Sequence, residues 1–180
     1  MKKAIFATAV ALFIGFGANA QIRLGAGFMG GLPMGDFGDF AGFGIGGGVS
    51  GEYMVTDNIG AGLSAGYILF TEAEEGLGDW TQIPVHLQGS YHFMPGEDFN
   101  FYAGLGLGMN FASYTSPEIT IGPITIPEET VNDSEFAIVP RAGINYMFSD
   151  ALGLDFSTGY AIVGDVSYVP LNLGIVYVLE

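Results

Sequence analysis

The chain has 180 residues, 49% of them hydrophobic and only 13% charged, and its 19 acids against 4 lysines and arginines give a formal net charge of −15. A mean hydropathy of +0.43 is too apolar for an ordinary soluble domain of this size, and the acid excess argues against nucleic acid as a partner. The chain has no cysteine, which excludes disulfides, cysteine zinc sites, a thiol nucleophile and a lipidated N-terminal cysteine.

Lys2 and Lys3, an apolar stretch from Ala4 to Gly17, and Ala18-Asn19-Ala20 ahead of Gln21 make a charged head, a short apolar core and a small-x-small cleavage site. A secretory signal over residues 1–20 is therefore expected, removed after Ala20. Residues 21–180 then form one domain. Past the signal no run of apolar residues is long enough for a spanning helix, which needs about 18 or more. A chain this apolar without such a helix must carry its apolar surface along strands, because in lipid only helices and closed barrels satisfy every backbone group.

Period-two alternation predicts eight strands, at residues 22–32, 42–55, 59–71, 80–93, 99–114, 136–148, 151–163 and 168–179. The fold class expected is all-β, an eight-stranded antiparallel up-and-down transmembrane β-barrel. Connections at 56–58, 94–98 and 149–150 are tight. Those at 33–41, 72–79, 115–135 and 164–167 read as longer, the asymmetry of short periplasmic turns and long external loops. The longest loop holds Ile119-Thr120-Ile121-Gly122-Pro123-Ile124-Thr125-Ile126, which predicts a hairpin extending the flanking strands, with an exposed edge able to recruit a partner strand.

Sorting the strands by parity yields an apolar set assigned to lipid, for example Leu24, Phe28, Ile45, Val49, Leu63, Leu87, Leu105, Leu107, Leu154, Leu173 and Ile175. The opposite, glycine-rich set is assigned to the lumen. It carries a predicted polar and charge network of Arg23, Glu52, His86, Gln88, Asn110, Arg141, Asn145 and Asp155. Placing both mature arginines inside supports this register, since an arginine on the lipid face near the midplane costs about 2 to 4 kcal/mol. Adjacency pairs Arg23 with Glu52, and Arg141 with Asp155 across a diagonal that Asn145 or water would bridge. Aromatic residues near the strand ends read as girdles: Tyr53, Tyr91, Phe93, Tyr146, Phe148 and Tyr177 at one interface, and Phe43, Phe70, Trp80, Phe111, Tyr114, Tyr160 and Tyr168 at the other. Pro84, Pro140 and Pro170 read as bulges near the external rim.

The run Gly51-Glu52-Tyr53-Met54-Val55-Thr56-Asp57-Asn58-Ile59-Gly60, followed by Ala65-Gly66-Tyr67, resembles the strand-turn-strand unit of the small porin-like outer membrane β-barrel family. The end of the chain, with Asn172, Gly174, Tyr177 and Leu179, looks like the C-terminal signal by which the barrel assembly machinery recognises its clients, although it stops on Leu179 and Glu180 rather than on an aromatic residue. The resemblance covers the whole mature chain. It implies a barrel in the bacterial outer membrane, contacts with lipid and with that machinery, external loops and periplasmic termini.

No cofactor is expected. The strings Gly25-x-Gly27-x-x-Gly30 and Gly42-x-Gly44-x-x-Gly47 imitate a dinucleotide fingerprint but are followed by no helix. His86 and His92 lie six strand residues apart, about 20 Å, too far to share a metal ion. No serine-histidine-acid constellation falls near the external interface, so enzymatic activity is not expected. Twelve of the nineteen acids occupy predicted external loops, and Glu72, Glu74, Glu75 and Asp79 are read as a weak site for a divalent cation. The function expected is structural or surface-interactive, in a monomer. The alternatives are a narrow channel, for which the inward glycines leave room, and adhesion or ligand capture by the acidic loops.

Overall fold

A computed structural model describes residues 21–73, 78–121 and 124–179, so the predicted signal at 1–20 lies outside the described residues. In chain order the elements are β1 (Ile22–Met34), a short 3-10 helix η1 (Gly35–Asp39), β2 (Ala41–Met54), β3 (Ile59–Glu72), β4 (Asp79–His92), β5 (Phe99–Ser116), β6 (Ile119–Ile121), β7 (Ile124–Ile126), β8 (Glu129–Met147), β9 (Leu152–Gly159), β10 (Ala161–Val163) and β11 (Val166–Leu179). Each wall strand pairs antiparallel with the next. β9 and β10 act as one interrupted strand, and β11 pairs back onto β1 with Ile22 opposite Leu179 and Met34 opposite Ser167. The result is the expected closed ring of eight. β6 and β7 form a separate two-stranded hairpin.

Alternation puts the apolar set on the outside. Leu87 is 69% exposed and Val49 61%, while among the described residues no charged side chain interrupts the outer face between Phe99 and Phe111 on β5 or between Tyr146 and Phe136 on β8. Twelve residue steps of β5 span about 40 Å, or roughly 28 Å along the barrel axis at a tilt of about 45°. Such a belt matches a hydrocarbon core and is unsuited to water.

The two ends of the barrel differ. At the turn end, Thr56 Oγ1 accepts from the backbone N–H groups of Asn58 (3.3 Å) and Ile59 (3.0 Å), Gly96 turns at φ +83°, and Ser149 Oγ accepts from the Leu152 N–H at 3.1 Å. At the loop end, β5 and β8 stay paired up to Ser116 opposite Glu129, so β8 begins seven residues before the sequence prediction of 136. Backbone pairing continues there after outward apolar alternation has stopped.

Three other expectations are corrected. The last loop-end connection is a two-residue turn, with Val163 paired to Val166 and Gly164 at φ +53°, a conformation that glycine adopts without strain. The prolines do not create bulges. At Pro84 the β3–β4 ladder skips two pairs and resumes in the same register, and at Pro140 the opposing strand breaks at Tyr160 without a shift. The register shift lies instead between Ala41 and Gly44 on β2. Finally, Phe70 and Tyr168 are buried in the lumen, with Trp80 packed against them, and do not belong to a lipid-facing girdle.

Candidate functional site

The lumen is layered. At the loop end, Ile68 and Phe70 of β3, Ala137 and Val139 of β8, Ala161 and Val163 of β10 and Tyr168 of β11 form an apolar cluster. Phe37, carried on η1, dips into it and meets Phe70 edge-on at 5.2 Å and Trp80 at 5.8 Å, while Phe70 meets Tyr168 at 5.6 Å. Large side chains also take the space that inward glycines leave. A Cβ on Gly48 or Gly66 would lie 2.4 or 2.3 Å from Met29 Sδ, and one on Gly44 would lie 2.7 Å from the Phe70 ring.

Beneath the apolar layer lies a cavity of about 140 Å³, lined among others by Ser50, Ser64, His86, Gln88, Arg141 and Asn172. On its loop side the His86 Nε2–H donates to Asn110 Oδ1 (2.8 Å), and the Asn110 amide donates to Gln82 Oε1 (2.8 Å) and to Tyr168 OH (3.3 Å).

The turn end holds the charges. His92, the last residue of β4, is the hub: Arg23 Nη1 (3.1 Å) and Asn100 Nδ2 (2.8 Å) donate to its Nδ1, and its Nε2–H donates to Glu52 Oε2 at 3.1 Å. Because an arginine can only donate, Nδ1 must be an acceptor and the proton sits on Nε2. The Ser90 hydroxyl donates to Glu52 Oε1. Arg23 and Glu52 are register partners on β1 and β2, yet His92 stands between them and no direct ion pair joins them.

The second predicted pair is likewise relayed. Arg141 lies opposite Gly159 and Asn145 opposite Asp155, so Arg141 is offset from Asp155 by four residues. The bridge is Tyr102: Arg141 Nη2 donates to its hydroxyl (3.3 Å), which donates to Asp155 Oδ2 (2.9 Å), and the guanidinium lies 5.2 Å from the ring centre. Asn145 Nδ2 donates to the same carboxylate oxygen at 2.5 Å, and Arg141 Nη1 donates to Gln88. The structure thus distributes the eight predicted residues over three clusters and adds Gln82, Ser90, His92, Asn100, Tyr102 and Tyr168. Gln82, Ser90, His92, Asn100 and Tyr102 share the inward parity of their strands, whereas Tyr168 was read as a girdle aromatic, and which of them meet depends on the stagger between strands.

Ser90, His92 and Glu52 resemble a nucleophile relay in composition only. A relay has the imidazole bridging hydroxyl and acid through opposite ring nitrogens. Here hydroxyl and carboxylate share the Nε2 side, with Ser90 Oγ 3.4 Å from Nε2, and Nδ1 is occupied by Arg23 and Asn100. Of the predicted cation ligands, Glu72 ends β3 and Asp79 begins β4, while Glu74 and Glu75 lie outside the described residues. Among the described residues no group of three or more histidines or carboxylates could hold a metal ion. In the C-terminal strand, Tyr177 and Leu179 face outward and Gly174 packs against Gly27 at the closing seam.

Solved structures share this architecture. A major outer membrane protein from Thermus thermophilus has a TM-score of 0.65 at 16% identity, over 90% of this chain and 100% of that one. Ail, the attachment invasion locus protein of Yersinia pestis, solved in complex with the heparin analogue sucrose octasulfate, has a TM-score of 0.63 at 18% identity, over 90% and 100%. Neisserial surface protein A has a TM-score of 0.60 at 15% identity, over 89% and 97%. At such identities the likeness is one of fold. No match is found among curated protein sequences. The model of the outer membrane protein beta-barrel domain matches residues 6–178, and with the closed ring of eight strands and its uncharged outer belt, this chain belongs to that family and spans the bacterial outer membrane as an integral β-barrel.

Proposed function

We propose that this barrel is a monomeric, non-enzymatic surface protein whose lumen is closed to solutes. Its turn end and both termini face the periplasm, and its loop end faces outward as an interaction surface. The observation that carries the reading is the occupied lumen: an apolar layer pinned by Phe37 and Phe70 at one end and a hydrogen-bonded charge cluster centred on His92 at the other. Orientation is supported by the unequal ends, since outer-membrane barrels keep short turns in the periplasm and long loops outside. The wiring of Ser90, His92 and Glu52 supports a structural rather than catalytic role for them. Outward Tyr177 and Leu179 on β11 are the residues through which the barrel assembly machinery would recognise the chain.

The cavity of about 140 Å³ favours a second reading, a narrow conduit for small solutes. Planar-bilayer recording of the refolded residues 21–180 decides between them. The closed reading expects no single-channel steps across ±100 mV, and reproducible steps would replace it with the conduit.

A further inference from the structure

We infer that the free edge of β8 between Glu129 and Glu135 captures an extended cationic segment of a partner protein by adding it as a strand. This deepens the interaction reading above and rests on it. Past the apolar belt, which ends at Phe136, β8 is paired on one side with β5 as far as Glu129. On its other side β10 reaches only Ala137 and Ile138, and the Gly164 N–H donates to the Phe136 carbonyl at 3.3 Å. Beyond that point no strand among the described residues covers the edge.

In an antiparallel ladder the N–H and C=O of one residue point to the same side. Phe136 points its carbonyl to the β10 side, so Thr130, Asn132 and Ser134 direct their backbone groups to the open edge. Of these, the Ser134 N–H is taken by Asp133 Oδ1 at 2.7 Å. The N–H groups of Thr130 and Asn132 remain, together with three carbonyls, along about 20 Å of exposed strand.

Parity also sets the chemistry of the occupant. Glu129, Val131, Asp133 and Glu135 share one face, and Val131 is 56% exposed. Among the described residues no lysine or arginine stands near, since both arginines are in the lumen. An antiparallel strand on this edge would set cations opposite Glu135, Asp133 and Glu129, and an apolar residue opposite Val131. The recognition pattern is therefore cation-x-cation-x-apolar-x-cation, with backbone bonds supplying affinity and the alternate side chains supplying selectivity.

The test uses the refolded barrel in lipid nanodiscs and the heptapeptide Lys-Thr-Lys-Thr-Val-Thr-Lys, compared with the same peptide N-methylated at alternate amides to block strand pairing at unchanged charge. The expected result is binding of the parent peptide, protection of the Thr130 and Asn132 amides from hydrogen exchange, and at least tenfold weaker binding of the methylated form. Asn132→Pro removes an edge N–H without touching the ladder to β5 and is expected to weaken binding at least tenfold. Equal binding of the two peptides, absence of protection at those amides, or no binding would each overturn the inference. If Asn132→Pro misfolds, the peptide comparison on unaltered protein still decides. Channel steps in the bilayer would remove the closed-lumen reading and leave this result standing, whereas failed capture would leave the closed lumen standing.

Discussion

Gly46 shows how little freedom the inner wall allows. A Cβ there would lie 1.8 Å from the Tyr67 carbonyl oxygen and 2.9 Å from the Ile68 Cα, both backbone atoms that cannot swing aside. Gly106, also inward, would place a Cβ no closer than 3.5 Å to any neighbour. Gly46→Ala is therefore expected to destabilise the barrel by about 1–3 kcal/mol through overpacking. Gly106→Ala should stabilise it by about 0.4–1 kcal/mol by restricting the unfolded chain. Urea titration of both variants in lipid vesicles checks the contrast, and equal midpoints would refute it. The His92 hub predicts a larger effect. His92→Leu removes the acceptor of the buried Arg23 and Asn100 and takes one of two side-chain donors from Glu52, which keeps Ser90, and each buried group left unsatisfied costs about 1–3 kcal/mol, more when charged. The same titration should show His92→Leu losing more stability than His86→Leu, because His86 has one side-chain partner, Asn110, where His92 has several.

At the scale of elements, the ribbon formed by β5 and β8 holds together through its own ladder, with Tyr114 opposite Val131 and Ser116 opposite Glu129, and the β6–β7 hairpin adds no strand to the main sheet. Replacing residues 117–128 by a short turn should leave folding intact and change the unfolding free energy by less than about 0.5 kcal/mol, as surface changes do. Gel mobility of unheated samples and urea titration measure this, and loss of the folded band would make the hairpin part of the scaffold. The elements also mark where sequence reasoning stops. Wall strands were legible because burying one face forces a period of two, and a one-residue slip would turn Arg23 and Arg141 toward lipid. The early start of β8 was hidden because Glu129, Asp133 and Glu135 carry no apolar alternation, so only pairing with β5 makes a strand of them. The turn after β10 was hidden because its length rests on one glycine at positive φ. Pro84 reads as a bulge by composition, yet the neighbouring ladders hold its register on both sides.

For the whole molecule, the inner face could be assigned by parity, but its filling could not. Phe70 and Tyr168 sit near strand ends, where aromatic residues commonly belong to a girdle, and only the stagger of β3 against β11 brings their rings together at 5.6 Å. Phe37 lies on the five-residue η1, inside the connection expected at 33–41, and has no period to read. On the closed-lumen reading proposed above, these residues form one barrier and the His92 cluster with Asn100 and Tyr102 a second, with the cavity between them. Two barriers in series have a definite electrical consequence, because current flows only when both are open. Phe37→Ala with Phe70→Ala should remove the loop-end barrier and still give no single-channel steps. Arg23→Ala with His92→Ala should open the turn end and also stay silent. Only the fourfold variant is expected to conduct. Truncating each buried aromatic costs about 3–5 kcal/mol, so the folded fraction is checked by gel mobility before recording. Steps from the loop-end variant alone would show that the charge cluster leaves a path for ions, and silence of a folded fourfold variant would show that the stacked inner walls themselves close the tube.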